Sequence, residues 1–257
     1  MFVRFLRHTC RLPLLTASAL ALLASSPLHA TTVSPVMVDL QTSGRGVVGS
    51  VSVTNTGAGP LPVEISIVAL DATATGFDVG KGSTDDLLVA PPSALIPAGQ
   101  TQSFRVQWVG DPELLKSKHY YVSINQLPVK LPAGQSAVQV VYDFKVLVSV
   151  ASGDKKPALT IRSVAPALAE GKPAAALTVE NTGAAHGYLS QHRIKFSETN
   201  AAGVVIYSKT ISGAEFQQSV GYGLVASGQT RTITVPLDPT MPKGGTLAAV
   251  LMDERGQ

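Results

Sequence analysis

The sequence predicts an all-β chain built from two tandem sandwiches, and three observations carry that prediction. Turn signals rich in Gly, Pro, Asn and Asp recur about every eight to twelve residues and bound short, β-branched, often alternating segments. Helical periodicity is nearly absent; the one candidate is a single turn at residues 111–116 with Pro112 in its first position. Two stretches also recur in the same order. Val51-Ser52-Val53-Thr54-Asn55-Thr56-Gly57 returns as Leu177-Thr178-Val179-Glu180-Asn181-Thr182-Gly183, and Pro97-Ala98-Gly99-Gln100-Thr101 as Ala226-Ser227-Gly228-Gln229-Thr230, at offsets of about 126 and 129 residues. A shared order at nearly one offset implies a duplicated unit, and units of roughly 110 residues with this strand spacing read as immunoglobulin-like sandwiches.

Taken in order, the chain opens with Arg4, Arg7 and Arg11 ahead of an apolar run at residues 12–24 and then Ser26-Pro27-Leu28-His29-Ala30. This is the pattern of an export signal over residues 1–30, with cleavage after about Ala30. The apolar run is about thirteen residues against the roughly twenty of a spanning helix, so no membrane insertion is expected. The leader holds three of the 20 basic side chains, none of the 17 acidic ones, and the only cysteine, Cys10. The chain beyond Ala30 is charge-balanced, which removes any electrostatic case for nucleic acid. It also has no disulfide or thiolate metal site, so its stability must come from burial and hydrogen bonding.

Residues 31–150 form the expected N-terminal domain, with strands at 47–53, 62–69, 103–109, 120–125 and 137–150. The polar segment 151–157 is a short hinge. Residues 158–257 form the second domain, with strands at 175–179, 193–196, 204–208, 231–235 and 246–252. Two sandwiches on so short a hinge leave an inter-domain cleft.

The most informative element is the segment at 137–150, AVQVVYDFKVLVSV. Val138, Val140, Tyr142, Phe144, Val146 and Val148 alternate without interruption on one face, and as a strand the segment would extend about 40 Å at ~3.3 Å per residue. Periodicity leaves two readings open for that face, the core of its own sandwich or a surface offered to a partner. The opposite face is polar in part, with Asp143 beside Lys145. An unpartnered apolar edge of this length would self-associate when free.

Motifs for chemistry are missing. His119, His186 and His192 read as surface or turn histidines with no ligand set for a metal, and there is no nucleophile elbow, P-loop or His-Glu-x-x-His. Asp85-Asp86 reads as a solvated loop tip, because neighbouring residues on a strand point to opposite faces. No enzymatic activity, cofactor or metal is expected.

The local motifs fall in a distinctive order: Leu88-Val89-Ala90-Pro91-Pro92, Leu95-Ile96-Pro97-Ala98-Gly99-Gln100, Phe104-Arg105-Val106, Tyr120-Tyr121-Val122-Ser123-Ile124-Asn125-Gln126-Leu127-Pro128, then the alternating strand. In that order the chain resembles the PapD-like periplasmic pilus-assembly chaperones of the chaperone-usher pathway. The likeness is densest over residues 88–150, extends to 33–40 and 51–57, and is only general in the second domain. It implies a non-enzymatic periplasmic chaperone that lends an edge strand to incomplete pilus or fimbrial subunits and delivers them to an outer-membrane usher. It also implies that Val138, Val140, Tyr142 and Phe144 fill the subunit's pockets while Val146, Val148 and Val150 serve the domain's own core.

In that family an arginine on the first strand and a lysine on the long strand anchor the subunit's terminal carboxylate in the cleft. Met37 and Leu147 stand at those positions here. Lys145, two residues from Leu147 and on the same face, becomes the implied anchor, with Arg105 as a second cation on a strand expected to neighbour the long one. This departure implies a divergent, archaic Csu-like branch. The alternative function is a secreted two-domain immunoglobulin-like structural or adhesive protein. A carbohydrate-active module is disfavoured by the single tryptophan, Trp108, and the lack of a carboxylate pair.

Overall fold

Ten strands form the first of two sandwiches in the computed structural model, which describes residues 31–128, 140–238 and 244–253. They are β1 (Thr32–Ser34), β2 (Met37–Gln41), β3 (Val48–Thr54), β4 (Leu61–Ala72), β5 (Phe77–Val79), β6 (Leu87–Ala90), β7 (Ser93–Ile96), β8 (Thr101–Trp108), β9 (Lys118–Gln126) and β10 (Asp143–Ala151). One sheet runs β1-β3-β8-β6; the other runs β2-β10-β9-β4-β5, with β7 also paired to β4. Alternation decides what each strand buries. Val51, Val53, Phe104, Val106 and Trp108 face inward from the first sheet, and Tyr120, Val122, Ile124, Val146, Val148 and Val150 from the second, forming one apolar cluster.

The second sandwich holds β11 (Leu159–Ala169), β12 (Lys172–Asn181), β13 (Gly187–Tyr188), β14 (His192–Thr199), β15 (Val205–Ile211), α1 (Gly213–Val220), β16 (Leu224–Val225), β17 (Thr230–Pro236) and β18 (Thr246–Asp253). Its sheets are β11-β12-β17 and β15-β14-β18, with the short pair β13-β16 beside them. Leu177, Val179, Leu189, Ile194, Phe196, Phe216 and Val235 make a separate core. The helix α1 falls where the sequence predicts none, while residues 111–116 form turns instead. Its signal is a capping box: the Ser212 side chain accepts from the Glu215 N–H, with Glu215 three residues along. Gly221, at φ 93°, ends the helix by donating to the Gln217 carbonyl.

The two internal repeats are structurally equivalent corners. Asn55 N–H donates to Gln100 O and Gly99 N–H to Asn55 O; Asn181 N–H donates to Gln229 O and Gly228 N–H to Asn181 O. The side chains match as well. Asn55 Nδ2 donates to the Gly59 and Ile96 carbonyls while its Oδ1 accepts from Gly57 N–H. Asn181 Nδ2 donates to the Ala185 and Val225 carbonyls while its Oδ1 accepts from Gly183 N–H. In each sandwich one buried asparagine supplies partners to a tight turn and to a strand across it, and so joins the two.

Candidate functional site

Strand β10 has two unlike flanks. β9 pairs with it along its length, from Asp143↔Asn125 to Val150↔Lys118. On the other flank β2 runs parallel and covers only Leu147 to Ala151, from Leu147↔Met37 to Ala151↔Gln41, preceded by one bond from Leu147 N–H to the Val36 carbonyl. Pro35 has no N–H to continue that ladder, and before it the chain belongs to the other sheet, where β1 pairs with β3. Among the described residues nothing pairs with that flank of β10 over residues 143–146.

The strand is shorter than its alternation implies. It begins at Asp143, and Val140 to Tyr142 carry no strand pairing pattern; Val138 lies outside the described residues. Its partner runs out first. Gln126, the last residue of β9, donates its N–H to the Tyr142 carbonyl, while the Leu127 N–H points to the β4 side and donates to Pro62 O. The apolar face accordingly grades along the chain: Val146, Val148 and Val150 are fully buried, Phe144 packs partly against the core, and Val140 and Tyr142 are 64 and 53% exposed. Tyr142 and Phe144 stack, with ring centroids 5.8 Å apart at 27°. A pair expected to project together is thus split between an exposed ring and one half committed to its own domain.

The other face of this sheet is organised in rows that follow from the register. Met37, Leu147 and Tyr121 lie side by side across β2, β10 and β9, so the two positions where the resemblance places charged anchors are adjacent and apolar. Lys145 is one repeat outward beside Ser123, with its Nζ 6.0 Å from the Tyr121 ring centroid and 3.6 Å from Asp143. Arg105 does not join it. β8 lies in the opposite sheet between β3 and β6, and Arg105 is exposed opposite Ser50 and Ala90; the expected neighbour relation to β10 is corrected by the topology.

The cation that does reach this region comes from the second sandwich. Arg231 shares the inward face of β17 with Ile233 and Val235, but at the strand's first turn, where the core gives way to the other domain. Its Nη1 donates to the Leu224 carbonyl at 2.5 Å, its Nη2 lies 3.9 Å from where a Cβ on Gly76 would stand, and an ionised Tyr121 would favour its charged form. Burial lowers its pKa. Its Nε is buried without a hydrogen-bond partner, and among the described residues no acidic side chain pairs with it. The sequence signal is an arginine on the same parity as the inward Ile233 and Val235, which strand spacing alone does not reveal.

One row inward lie Asp39, Ser149 and His119, again aligned by register. Here the second sandwich docks: Tyr188 Oη and His186 Nε2 both donate to Asp39 Oδ1, at 2.5 and 3.1 Å. Burial alone would raise the Asp39 carboxyl, but the bonds from His186 and Tyr188 outweigh it and hold the pKa below 3.8. His119 is buried, not at the surface, with Nδ1 2.9 Å from Ser149 Oγ; burial, then the neighbouring His186, push it down to about 3. Asp86 is likewise no free loop tip, since it accepts from Lys118 Nζ and Tyr120 Oη. Among the described residues no three His, Cys, Asp or Glu side chains converge as a metal site would.

No protein-family model matches the sequence, and no curated protein matches it. Solved structures do. A chain from a structure described as a chaperone-tip adhesin complex vital for synergistic activation of CFA/I fimbriae biogenesis aligns with a TM-score of 0.51 at 15% identity, covering 88% of this chain and 96% of that one. The class 5 fimbriae chaperone CfaA aligns at 0.49 with 13% identity over 86% and 98% of the two chains. A chain of the CsuC-CsuE chaperone-tip adhesion subunit pre-assembly complex of Acinetobacter baumannii aligns at 0.45 with 13% identity over 81% and 90%. The first of these, spanning most of both chains, shows a shared fold of two immunoglobulin-like sandwiches.

Proposed function

We propose that this chain is a periplasmic, non-enzymatic chaperone of the chaperone-usher type, which holds incomplete pilus or fimbrial subunits by adding its own strand to them and passes them to an outer-membrane usher. The observation that carries the reading is the half-covered β10: an open backbone flank over residues 143–146, continued by exposed Val140 and Tyr142. Strand addition needs that combination, since backbone groups supply pairing and alternate apolar side chains supply specificity. Each such side chain is worth roughly 1.5 to 3 kcal/mol when fully buried, before the entropy of association is deducted. The aligned CFA/I structure is described as a complex of a chaperone with a tip adhesin, which is in keeping with a subunit as the ligand.

The cleft also supports a polarity for the incoming strand. A strand lying along residues 143–146 occupies the line that β2 takes up at Met37. If it runs parallel to β10, its C-terminus meets the Met37-Leu147-Tyr121 row, flanked by Lys145 and Arg231; if antiparallel, an ammonium would meet two cations. Charge therefore favours the parallel arrangement, with Lys145 and Arg231 as the carboxylate anchors. The test is co-expression in the periplasm with a candidate subunit, followed by isolation and limited proteolysis. A 1:1 complex that protects the subunit is expected, and Val140→Asp with Tyr142→Asp should abolish it. An intact complex with the double variant would sink the donated-strand reading.

A further inference from the structure

We propose that Asp39, through its bonds to His186 and Tyr188, is the positioning residue that fixes the angle between the two sandwiches and hence the distance from Arg231 to β10. The hinge does not fix it. Residues 152–157 form a short turn, closed by the bond from Lys155 N–H to the Ser152 carbonyl, and one chain crossing sets no angle between two domains. Non-covalent contacts must, and they fall into two kinds.

In the first kind the first-domain partner is a hairpin tip or a loop. Gln229 Nε2 donates to the Thr73 and Gly76 carbonyls, and Thr232 N–H donates to Ala74 O, all on the tip between β4 and β5. Ser117 N–H donates to Ala184 O from another loop. Tips and loops yield when a domain moves. The second kind is Asp39. It stands on β2 between Val38 and Leu40, both buried in the first core, so its backbone cannot shift without the sheet. Its carboxylate leaves the opposite face and accepts two bonds on one oxygen from second-sandwich side chains, of which Tyr188 is almost wholly buried at the junction. Charged acceptors make stronger bonds than neutral ones.

The packing around that carboxylate is continuous. The rings of His119, His186, Tyr188 and Tyr222 follow one another with centroids 5.3, 5.3 and 6.3 Å apart, running from the first sandwich into the second. Asp39 is two residues from Met37, which lies against Leu147. The clamp therefore acts on the strand that covers half of β10, next to the row of Met37, Leu147 and Tyr121.

The free protein tests this whatever the cleft binds. Since the only cysteine of the chain is Cys10, spin labels on Leu88→Cys and Lys195→Cys, both exposed and one on each sandwich, report the inter-domain distance by double electron-electron resonance. The parent distribution should be narrow. Asp39→Ala should at least double its width, Tyr188→Phe should broaden it by a similar amount, and Asp39→Asn, which keeps an acceptor oxygen, should restore it. The double change should add little to either single one, because both remove the same bond. Trp108 fluorescence on urea unfolding checks that the first sandwich stays folded; Tyr188→Phe, nearly isosteric, carries the test if Asp39→Ala does not fold. An unchanged width in both, or a larger broadening from Gln229→Ala than from Asp39→Ala, overturns the assignment.

Discussion

His119 should make the first sandwich lose stability as the pH falls through a range where most proteins are indifferent. Its imidazole is 3% exposed, held by Ser149 Oγ at Nδ1 and close to Ser117 Oγ at Nε2, with the Phe77 ring 5.0 Å away. Burial first, then the charge of His186, lower its pKa from 6.5 to about 3, against the opposing pull of Asp39. The folded value lies below the unfolded one, so between them the unfolded chain binds the extra proton. Stability from this group is complete above the unfolded value, falls as pH drops, and is gone once the folded value is passed.

Over that whole span the shift amounts to about 5 kcal/mol, and between about pH 7.5 and pH 5 the share lost is about 2 kcal/mol. The range stays above the carboxylates, including Asp39, whose own contribution is lost only under 3.8. Trp108 is the single tryptophan and sits 2% exposed in the first core, so its fluorescence follows that sandwich alone. Urea unfolding of the parent and of His119→Gln at the two pH values gives the test. The Gln variant keeps a neutral polar side chain and should lose about 2 kcal/mol less on acidification; the other histidines act in both proteins and cancel. Parallel pH dependences would show that His119 titrates as an ordinary histidine and would refute a buried neutral imidazole at this junction.

Two further outcomes are expected. Lys145→Ala and Arg231→Ala should each weaken subunit capture by about tenfold to a hundredfold, the loss of a charge-assisted bond, whereas Arg105→Ala and Met37→Ala should leave capture nearly unchanged; titration calorimetry with a subunit ending in a free carboxylate or an amide would disprove the anchor if the two bound alike. Asn55→Ala should cost roughly 1 to 3 kcal/mol by orphaning the buried Ile96 carbonyl, and Asn181→Ala roughly 2 to 4 kcal/mol by orphaning two buried carbonyls, the first read by Trp108 fluorescence and the second by hydrogen exchange in β12; a loss under about 0.5 kcal/mol at either would show the corner to be redundant.

Much of the fold is legible because its signals are local. The Asn-Thr-Gly and Gly-Gln repeats announce two equivalent corners, and the segments predicted at 47–53, 120–125 and 175–179 all lie within strands or at their very edge. The length of β10 is not legible locally, since alternation says which way side chains point and not whether β9 is still there to pair. Parity separates Arg105, set between inward Phe104 and Val106, from Arg231, on the face of Ile233 and Val235, but only the tertiary arrangement tells that the first lies on the far sheet and the second in the inter-domain region. The burial of His119 comes from Phe77 and Ser149 on neighbouring strands and from His186 of the other domain, which no single-strand pattern encodes. The helix α1 is legible in principle, through Ser212 and Glu215, but eight residues in a β-rich chain leave little periodicity to find.

The duplicated corners account for one of the loop contacts between the two sandwiches. Both turns use the same backbone bonds, and in both a glutamine follows the glycine. Gln100 is exposed, so in the first sandwich the corner ends at solvent. In the second, Gln229 is buried: its Oε1 accepts from Ala226 N–H, which leaves the amide protons free to reach the Thr73 and Gly76 carbonyls of the first domain. A residue that closes a turn in one copy thus becomes an inter-domain donor in the other with no change of residue type. Two residues further on, Arg231 is carried by the same docking into the neighbourhood of Tyr121. The corner thus brings Arg231 to this side of the second sandwich while the Asp39 bonds set the angle, and a first strand without an arginine, carrying Met37 instead, is compatible with a charged cleft.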